Sequence, residues 1–527
     1  MTRRRFGLCL GAVFVAGLAL RMIGTDWGAP YGYHFDERFV LAPALRIVET
    51  GDPNPHFFNY PSVLIYATAG VTGLHRTLTE APPPELPGPP AYGPADLGPS
   101  TWPVLRDSRR LVALAGALGI LAAALLAFRT GGTEAALLAS VLVASLALHA
   151  EHSHFLTTDV PMTTLVTLAF ALGAKPGRGA TAGLVSGAAL GLAVATKYTA
   201  GFALVPLLIV NALAGRDLKR VVAVLPGVAG AFAIACPFAL LDWPKFTSDL
   251  AVVRNHYRGG HLGAEGDGNW GWYLMRLRQE GLGTAGMVLF GLGLLGVADD
   301  TVRRARHDDA GRTGAAIAFV IAATALLWFL WLGSVRVRFE RNLIPAATLA
   351  AVAAGHGLAA LLSRLPRGGG PTERHRRLDP RSIAIGVLLV CLAAPTALAL
   401  GRTRLLAGAD TRSLALAWIT ENVPQGATIV REEQTPRVDA ERYDVEYTWS
   451  LAARPPMAYR AAGVDYLIAS SAIYDRYRGA DTPQAANYRR MFLWPRARTF
   501  VPDSAIRGPV VLVLEVPRLP GRDPPPD

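Results

Sequence analysis

Two adjacent carboxylates, Asp36 and Glu37, stand in the segment HFDERFVLAPALRIVETGDPNPHFFNY, residues 34–60. They follow an apolar run at residues 6–23 by about a dozen positions. Charged side chains this close to a membrane span usually mark a pathway or a reaction site, and a carboxylate offers acid–base chemistry there. The spacing of later apolar residues also places the pair in the first turn of an amphipathic helix, where acidic residues favour the helix dipole without further role. From these residues alone both interpretations are open.

A second acidic segment, EHSHFLTTDVP at residues 151–161, lies between two later apolar runs. His152, His154 and Asp159 offer imidazole and carboxylate ligands, but His-x-His spacing alone is weak evidence for a metal site. Asp159 also precedes a Val-Pro pair, where a side-chain oxygen caps a helix and proline suits the first turn. We predict that no cofactor is required and that these residues form no metal site, although a requirement for a divalent metal stays open. Asp159 is kept as a candidate site residue.

Basic side chains interrupt or precede two other apolar runs. Lys197 and Tyr198 break the run GLAVATKYTAGFALVP, and three arginines stand in GSVRVRFERNLIP: Arg336, Arg338 and Arg341. A lysine at a helix end usually extends its ammonium into the lipid headgroups, and arginines can do the same. A guanidinium also holds phosphate, since it is planar, always charged and offers paired donors. The arginines are therefore a candidate phosphate site, with Arg338 and Arg341 preferred equally.

The composition indicates what kind of protein positions these groups. Of the 527 residues, 51% are hydrophobic and 17% are charged, and the mean hydropathy is +0.29. Those values are typical of a polytopic membrane protein. Much of the net charge of +12 lies in short loops between apolar runs, which indicates membrane topology and argues against nucleic-acid binding. Cys9, Cys236 and Cys391 each fall inside an apolar run, so we expect neither a disulfide framework nor a zinc site.

About eleven apolar runs are assigned as membrane spans. A further run at residues 62–78 is short and contains His75 and Arg76, so we assign it to a helix lying along the membrane surface. The predicted spans are residues 6–23, 108–128, 134–150, 160–173, 180–197, 200–214, 219–241, 283–298, 313–333, 342–362 and 382–400.

The charges of the connecting loops set the orientation of these spans. When the spans are threaded alternately, every loop placed in the cytoplasm is basic, as the positive-inside rule requires. Counting residues 62–78 as a span would invert everything after it. The prediction is therefore a multi-pass protein of the inner (plasma) membrane, with both acidic segments and the chain after residue 400 on the extracytoplasmic side.

Three external segments differ from the tight turns elsewhere. Residues 81–100 are rich in proline and predict an irregular loop. Residues 241–281 carry GDGNWGWY, which suits either a membrane interface or an aromatic lid over a site. From residue 401 the chain has the composition of a soluble domain. Residues 414–433, 463–477 and 508–517 read as helix–turn–strand, strand–helix and strand, which predicts a small α/β module.

Several of these segments resemble the phospholipid-carrier-dependent glycosyltransferases of the GT-C superfamily, which includes protein O-mannosyltransferases and lipid A aminoarabinose transferases. The segments are HFDE, GDPNPHFFNYPS, SHFLTTDVPMT, TKYT, the arginines before a late span, AWITENVPQGATIV and VDYLIASS. The resemblance covers nearly the whole chain and is strongest around Asp36, Asp159, Lys197 and Arg338.

The resemblance implies the GT-C fold: a polytopic α-helical membrane protein of about 11 transmembrane helices with juxtamembrane helices, plus a small C-terminal extracytoplasmic α/β domain. The transferase domain would be residues 1–400 and the soluble domain residues 401–527. Asp36 would be the catalytic carboxylate. The other implied site residues are Glu37 and Asp159 at the catalytic centre, Lys197, Arg336, Arg338 and Arg341 at the donor phosphate, and His34, Tyr60, His154 and Tyr198 in the substrate pocket.

The implied reaction transfers a hexosyl or pentosyl group from a polyprenyl-phosphate sugar to an acceptor hydroxyl, with inversion. The expected partners are that donor, membrane lipids and an acceptor protein, lipid or glycan. The nearest alternative is a lipid-linked oligosaccharide ligase or polymerase, which would release polyprenyl diphosphate instead of polyprenyl phosphate. A polytopic transporter is a weaker alternative, since transporters typically show inverted repeats, and the sequence shows no internal repeat of that kind.

Overall fold

The structure is a computed structural model that describes residues 2–79, 99–260, 262–264, 266, 268–305, 310–366 and 379–518. The loop predicted at residues 81–100 lies almost wholly outside this described part, as does much of the basic segment before the last predicted span. The α-helices of the membrane part are α1 Arg3–Met22, α2 Arg38–Thr50, α3 Val63–Thr79, α4 Trp102–Ser145, α5 Ala147–His152, α6 Asp159–Gly173, α7 Ala180–Val194, α8 Leu204–Gly215, α9 Leu218–Ala235, α10 Phe238–Leu241, α11 Trp243–Gly259, α12 Trp270–Arg276, α13 Gly283–Arg304, α14 Ala310–Ser334, α15 Ile344–Arg364 and α16 Pro380–Ala407.

Eight helical segments of the described chain are long and apolar enough to cross a membrane. They contain α1, α4, α8, α9, α13, α14, α15 and α16. Two more of the predicted spans form the apolar helices α6 and α7, each of 15 residues. A span needs about 20 residues, so the crossing of the membrane by α6 and α7 stays a prediction.

Helix α4 contains the predicted span 108–128 and most of the predicted span 134–150, whose last residues fall in α5. Its 44 residues would extend about 66 Å if straight, roughly twice the thickness of the hydrocarbon core. The helix breaks at Gly132, where φ is 77° and ψ is −161°. Glycine adopts this conformation without a steric penalty, so the chain changes direction at the predicted boundary.

Close packing through small residues joins α7 to α9. A Cβ atom added to Gly183 would lie 1.9 Å from the carbonyl oxygen of Arg220, and one added to Gly187 would lie 2.2 Å from that of Val224. The two backbones therefore touch where glycine removes the side chain, as is common between helices in membranes. A Cβ atom added to Gly191, near the end of α7, would lie 2.4 Å from the carbonyl oxygen of Val228, so the contact extends to the end of the helix, from which the chain continues to Lys197.

The helices flanking the first acidic segment lie against the bundle. Helix α2 buries Val40, Leu41 and Leu45 on one face, as its helical spacing predicts. It ends at Gly51, which adopts the left-handed conformation with φ of 73°. Helix α3 has 17 residues and is not among the candidate spans, and its position along the membrane surface stays a prediction.

The C-terminal part is an α/β domain built on a mixed five-stranded sheet. Helix α16 continues to Ala407, so the predicted boundary at residue 401 falls inside its last turns. The strand order is β2-β1-β3-β5-β4, with β1 parallel to both β2 and β3, and β5 antiparallel to β3 and β4. The elements are α17 Thr411–Asn422, β1 Thr428–Glu432, β2 Asp444–Thr448, α18 Pro456–Ala461, β3 Tyr466–Ser470, α19 Ser471–Tyr474, α20 Pro483–Met491, β4 Arg496–Phe500 and β5 Val511–Glu515.

Buried polar contacts attach this domain to the membrane part. The two oxygens of Glu151 accept from Arg507 at 2.7 Å and from Arg402 at 3.0 Å. Although burial alone would raise the pKa of Glu151, the charges of Arg507 and Arg402 lower it to about 2. The indole Nε1 of Trp27 donates to Asp410 at 3.1 Å. The bonds of Arg507 and Asp410 join the domain to α5 and to the loop that follows α1.

Impermeant cysteine labelling tests the predicted orientation. Arg478 in the C-terminal domain is 79% exposed and Arg303 at the end of α13 is 66% exposed, so a cysteine at either position is accessible to reagent. Because α13 is about 33 Å long and the loops beyond it are basic, we expect labelling from outside the cell at position 478 only. The native cysteines would be replaced by alanine, and labelling of position 303 in intact cells would contradict the topology.

A buried carboxyl group makes the stability of the C-terminal domain depend on pH. Glu432 accepts hydrogen bonds from the amides of Ser470 and Leu451 and from the Tyr488 hydroxyl, and burial raises its pKa from 4.5 to about 7. The folded state therefore binds the proton more tightly than the unfolded state. Stabilisation by this proton is complete below pH 4.5 and is lost as the pH rises through about 7.

We therefore expect the thermal unfolding temperature of the full chain to fall between pH 5 and pH 8 by more in the wild type than in Glu432→Gln. The comparison of the two chains cancels the titration of every other group. Equal pH dependence in both chains would show that Glu432 has an ordinary pKa.

Candidate functional site

A cavity of about 920 Å³ lies between the loops of the membrane part and the C-terminal domain. Two carboxylates, several cations and a ring of aromatic side chains line it. The charged lining residues are Asp36, Lys197, Arg341, Arg412, Glu433, Arg476 and Arg507, and the aromatic ones are Trp27, Tyr33, His34, Phe35, Phe39, Phe57, Tyr60, His256, Tyr257, Phe339 and Trp449. A cavity of this size, with polar groups converging from an apolar wall, is typical of a small-molecule site.

Asp36 reaches the cavity from a single 3-10 turn, Phe35–Glu37, directly before α2. Its amide donates to the Nδ1 atom of His34 at 3.3 Å, which fixes the turn. Burial lowers the pKa of His34 to about 3, so the ring is neutral and its nitrogen accepts this bond. The carboxylate of Asp36 contacts Arg341, with Oδ2 3.0 Å from Nη1.

Asp159 lies behind the cavity wall and holds two cations toward it. Its Oδ1 atom is 2.6 Å from the Lys197 ammonium, and its Oδ2 atom is 3.8 Å from Nε of Arg341. Lys197 also donates to Oδ1 of Asn342 at 3.2 Å. The N-cap of α6 is Thr158, and Asp159 is the first helical residue. Its carboxylate therefore serves as an ion-pair partner rather than as the helix cap.

The four charges form one alternating chain: Asp36, Arg341, Asp159, Lys197. Neither lysine nor arginine extends into lipid, because both are bound to carboxylates. Lys197 and Arg341 border the cavity, whereas Asp159 does not. A phosphate in the cavity would thus meet two cations that are already held in place, beside a carboxylate at Asp36.

Of the four residues predicted in the substrate pocket, two line the cavity and two do not. His34 and Tyr60 line the cavity, and burial together with the charge of Asp36 raises the pKa of Tyr60, so its hydroxyl stays protonated. Tyr198 donates to the Phe58 carbonyl at 2.9 Å and does not line the cavity. His154 is buried, with Nε2 2.8 Å from the Ile23 carbonyl and Nδ1 bound within its own turn. Tyr198 and His154 therefore position loops.

Glu37 does not reach the cavity, although it was predicted at the catalytic centre. Its two oxygens accept from Nε and Nη2 of Arg109, each at 2.7 Å, and Oε1 also accepts from the Leu156 amide at 2.9 Å. Arg109 donates in addition to the carbonyls of Thr25 and Trp27. This buried pair joins the loop after α1, the helix α4 and the loop before α6. Arg109 was not predicted as a partner of Glu37, because in the sequence it resembles an ordinary arginine at the end of a span.

The structure separates the three predicted arginines. Of these, Arg341 lines the cavity. Arg338 lies 3.5 Å from Oδ1 of Asn269 and over the ring of Trp272, so it packs against the segment before α13. Arg336 is exposed. The motif did not distinguish position 338 from position 341, because Arg338 precedes the 3-10 turn Glu340–Leu343 while Arg341 lies in it, and the direction of each side chain depends on that turn.

The predicted lid segment contributes one wall of the cavity. Helix α11 presents His256 and Tyr257, and His256 stacks on Phe339 with 6.4 Å between ring centres. The predicted role of this segment as a movable cover stays a prediction, and His261 lies outside the described residues. The C-terminal domain supplies the opposite wall through Glu433, Trp449 and other side chains that sequence analysis did not assign to the site.

Among the described residues, no group of three or more His, Cys, Asp or Glu side chains is arranged to hold a metal ion. The two histidines of the His-x-His motif differ in surroundings. His154 bonds to backbone carbonyls, and His152 packs edge-on against Phe155. The carboxylate of Asp159 is bound by cations. In the structure, Asp159 of this segment therefore forms ion pairs, and its two histidines make hydrogen bonds and packing contacts.

Replacing Glu37 tests its structural role. Glu37→Gln leaves the charge of Arg109 buried without a carboxylate, which typically costs about 3–5 kcal/mol of stability. We expect a matching fall in the free energy of unfolding, measured in detergent by denaturant titration. The control is Glu446→Gln, which removes the partner of Arg454 in a pair whose side chains are 42% and 49% exposed, and it should cost about 1 kcal/mol or less. Equal effects of the two substitutions would contradict the assignment.

Comparison with known proteins places this geometry on a known fold. Residues 104–241, which include Arg109, Asp159 and Lys197, match a family model described as dolichyl-phosphate-mannose-protein mannosyltransferase. No curated protein matches the chain significantly. The oligosaccharyltransferase of Archaeoglobus fulgidus is similar with a TM-score of 0.54 and 13% identity, over 90% of this chain and 70% of that one. ArnT of Cupriavidus metallidurans is similar with a TM-score of 0.53 and 16% identity, over 95% and 97%. The prediction of a GT-C membrane fold with a small C-terminal α/β domain is confirmed.

Proposed function

We propose that this protein is an integral-membrane glycosyltransferase. It moves a sugar from a polyprenyl-phosphate donor to an acceptor hydroxyl on the extracytoplasmic side, with inversion at the anomeric carbon. The observation that carries the proposal is the alternating ion-pair chain, which puts one carboxylate, Asp36, and two cations, Lys197 and Arg341, at the wall of one cavity.

The two cations suit the phosphate of the donor. Arg341 offers paired N–H donors and Lys197 a compact positive charge, the two ways in which proteins usually hold phosphate. Asp159 contacts both cations and Asn342 accepts from Lys197, so the protein itself fixes them and little reorganisation is needed at binding. Negative charge growing on the departing phosphate would be stabilised by the same contacts.

Asp36 suits the role of general base. Its carboxylate borders the cavity and its only described ion-pair partner is Arg341. A donor phosphate that takes one of the Arg341 donors frees Asp36 to accept the proton of an acceptor hydroxyl as that oxygen attacks the anomeric carbon. Donor binding would in this way leave the Asp36 carboxylate able to accept a proton.

A single displacement fits the remaining groups. Retention of configuration needs a second carboxylate that attacks the sugar from the cavity. Asp159 is bound to Lys197 and lies behind the wall, and Glu37 is bound to Arg109. The other carboxylate of the cavity lining, Glu433, is bound to Tyr447 and Arg38, so none of the three is placed to act as that nucleophile. We therefore propose direct transfer with inversion.

Two further observations support a lipid-linked donor. The matched family model is named for dolichyl-phosphate-mannose, and the Archaeoglobus fulgidus oligosaccharyltransferase has been solved with a dolichol-phosphate. Both names describe other proteins with which this chain shares a segment or a fold. The basic loops opposite the site support an extracytoplasmic reaction.

Substitutions at Asp36 and Arg341 separate chemistry from donor binding. Asp36→Asn removes the base, so we expect transfer to fall about 100- to 10,000-fold while donor affinity is kept. Arg341→Gln removes charge-assisted bonds to phosphate, and donor affinity should fall about 10- to 100-fold. Transfer from a polyprenyl-phosphate sugar and donor binding would be measured on each purified chain.

The matched control is Arg338→Gln, three residues from Arg341 but directed at Trp272, which should leave both quantities nearly unchanged. Near-wild-type turnover in Asp36→Asn would refute the proposed mechanism. Release of polyprenyl diphosphate rather than polyprenyl phosphate would identify an oligosaccharide ligase instead.

A further inference from the structure

We propose that the C-terminal domain carries the acceptor subsite of the cavity and that this subsite binds a sugar ring, so that the acceptor is a glycan. This inference rests on the proposed transferase function and names the class of its acceptor. The subsite, here the strand-end subsite, consists of Glu433, Trp449 and Ser471. These residues directly follow the strands β1, β2 and β3, and all three line the main cavity.

The topology of the sheet favours a ligand at this place. Strand β1 lies between β2 and β3 and is parallel to both, so the carboxyl ends of the three strands lie together at one end of the sheet. The segment after β1 packs Val438 and Tyr443 on one face of the sheet. The segment after β3 packs Tyr488 and Met491 on the other face. In open α/β sheets such a reversal leaves a crevice beyond the strand ends, and ligands bind there.

Trp449 offers an aromatic surface to a sugar ring. Arg476 lies over its ring at 5.4 Å, and Phe35 meets it at 75° with 5.7 Å between the ring centres. These contacts hold the indole in place, and the residue is still 38% exposed at the cavity wall. The face of an aromatic ring is negative, so it attracts the positively polarised C–H groups of a sugar.

Glu433 offers an acceptor for a sugar hydroxyl. A carboxylate has about four acceptor sites. Tyr447 donates to Oε2 of Glu433 at 2.6 Å and Gln434 donates to Oε1 at 3.2 Å, while Arg38 lies 3.5 Å from Oε2. These partners hold the carboxylate in one position at the cavity wall and leave it able to accept one further hydrogen bond.

Ser471 supplies the complementary donor. Its Oγ atom accepts from the amide of Val510 at 2.9 Å, which leaves the hydroxyl proton available to a ligand. A sugar ring has apolar faces and carries hydroxyl groups at its rim, so it matches an aromatic face flanked by an acceptor and a donor. A lipid chain on the same surface would remove both polar groups from water without replacing their hydrogen bonds, which is costly.

The position of the strand-end subsite suits the proposed base. Phe35, whose ring contacts Trp449, is next to Asp36 in the same 3-10 turn. The cations of the proposed donor site, Lys197 and Arg341, belong to the membrane part, whereas the subsite belongs to the C-terminal domain. Acceptor and donor would thus approach Asp36 from different walls of one cavity, as transfer between two bound substrates requires.

Binding of defined sugars to the full chain tests this proposal. The probes are the methyl glycosides of D-glucose, D-galactose, D-mannose and N-acetyl-D-glucosamine, added to protein in phosphatidylcholine nanodiscs and followed by saturation-transfer NMR. A short threonine-rich peptide is the probe for a protein acceptor. We expect at least one glycoside to bind, with the strongest saturation at the C–H protons of one ring face, and to bind more tightly than the peptide.

Substitutions in the strand-end subsite locate the bound sugar. Trp449→Ala should weaken binding about tenfold because the stacking surface is lost, and Trp449→Phe should keep part of the affinity. Ser471→Ala removes one neutral hydrogen bond and should weaken binding about twofold to tenfold. The matched control is Trp243→Ala, which removes a tryptophan that is 55% exposed and does not line the cavity, and it should leave binding unchanged.

The proposal is overturned if none of the glycosides binds, if the peptide binds more tightly than all of them, or if Trp449→Ala and Trp243→Ala bind the sugar alike. Should Trp449→Ala not fold, wild-type affinity in both Trp449→Phe and Ser471→Ala has the same consequence.

The Asp36→Asn chain separates this test from that of the transferase. Sugar binding that depends on Trp449 and persists in Asp36→Asn supports the subsite even where the proposed transfer fails. Intact transfer from a polyprenyl-phosphate sugar without any binding of the glycosides would refute the subsite alone.

Discussion

The pairing of buried charges governs this site. A charged side chain at the edge of a membrane is tolerated where it has a partner, since an isolated buried charge is very costly. This cost is avoided here because every charge has a partner of opposite sign. Lys197 contacts Asp159, and Arg341 contacts both Asp36 and Asp159. The four residues come from four segments, each next to the end of a helix. The chain of charges can form only if those helix ends meet at one face of the bundle.

The adjacent carboxylates Asp36 and Glu37 divide two tasks. Successive residues of a tight turn point in different directions, so the Glu37 side chain is buried in the protein interior while the Asp36 side chain lines the cavity. Glu37 holds Arg109 and the Leu156 amide, which ties the turn to two other segments. In the proposed mechanism a base must be held in a narrow range of positions, and the contacts of Glu37 would provide that restraint for Asp36. An adjacent pair would then be useful even though Asp36 alone lines the cavity.

The sequence predicted the fold better than the site. Long apolar runs and basic loops carry strong physical signals, and alternating apolar segments after residue 400 revealed the strands β1, β3 and β5. The motif residues Asp36 and Lys197 were also placed in the cavity. The choice of Arg341 over Arg338, and the burial of Arg109, depend on the direction of single side chains across distant segments. Periodicity along the chain does not encode those directions.

The same limit explains why the contribution of the C-terminal domain was not foreseen. Its cavity residues, such as Glu433 and Trp449, look like ordinary polar and aromatic residues beside strands. They become part of the site because Arg507 binds Glu151, which lies at the start of the segment that carries Asp159. The bond connects the position of the domain to the loop that organises the cations. The domain is therefore structurally coupled to the membrane part. Its displacement would remove one wall of the cavity and break the bond to the segment that leads to Asp159. The cavity is therefore formed at the interface between the two parts.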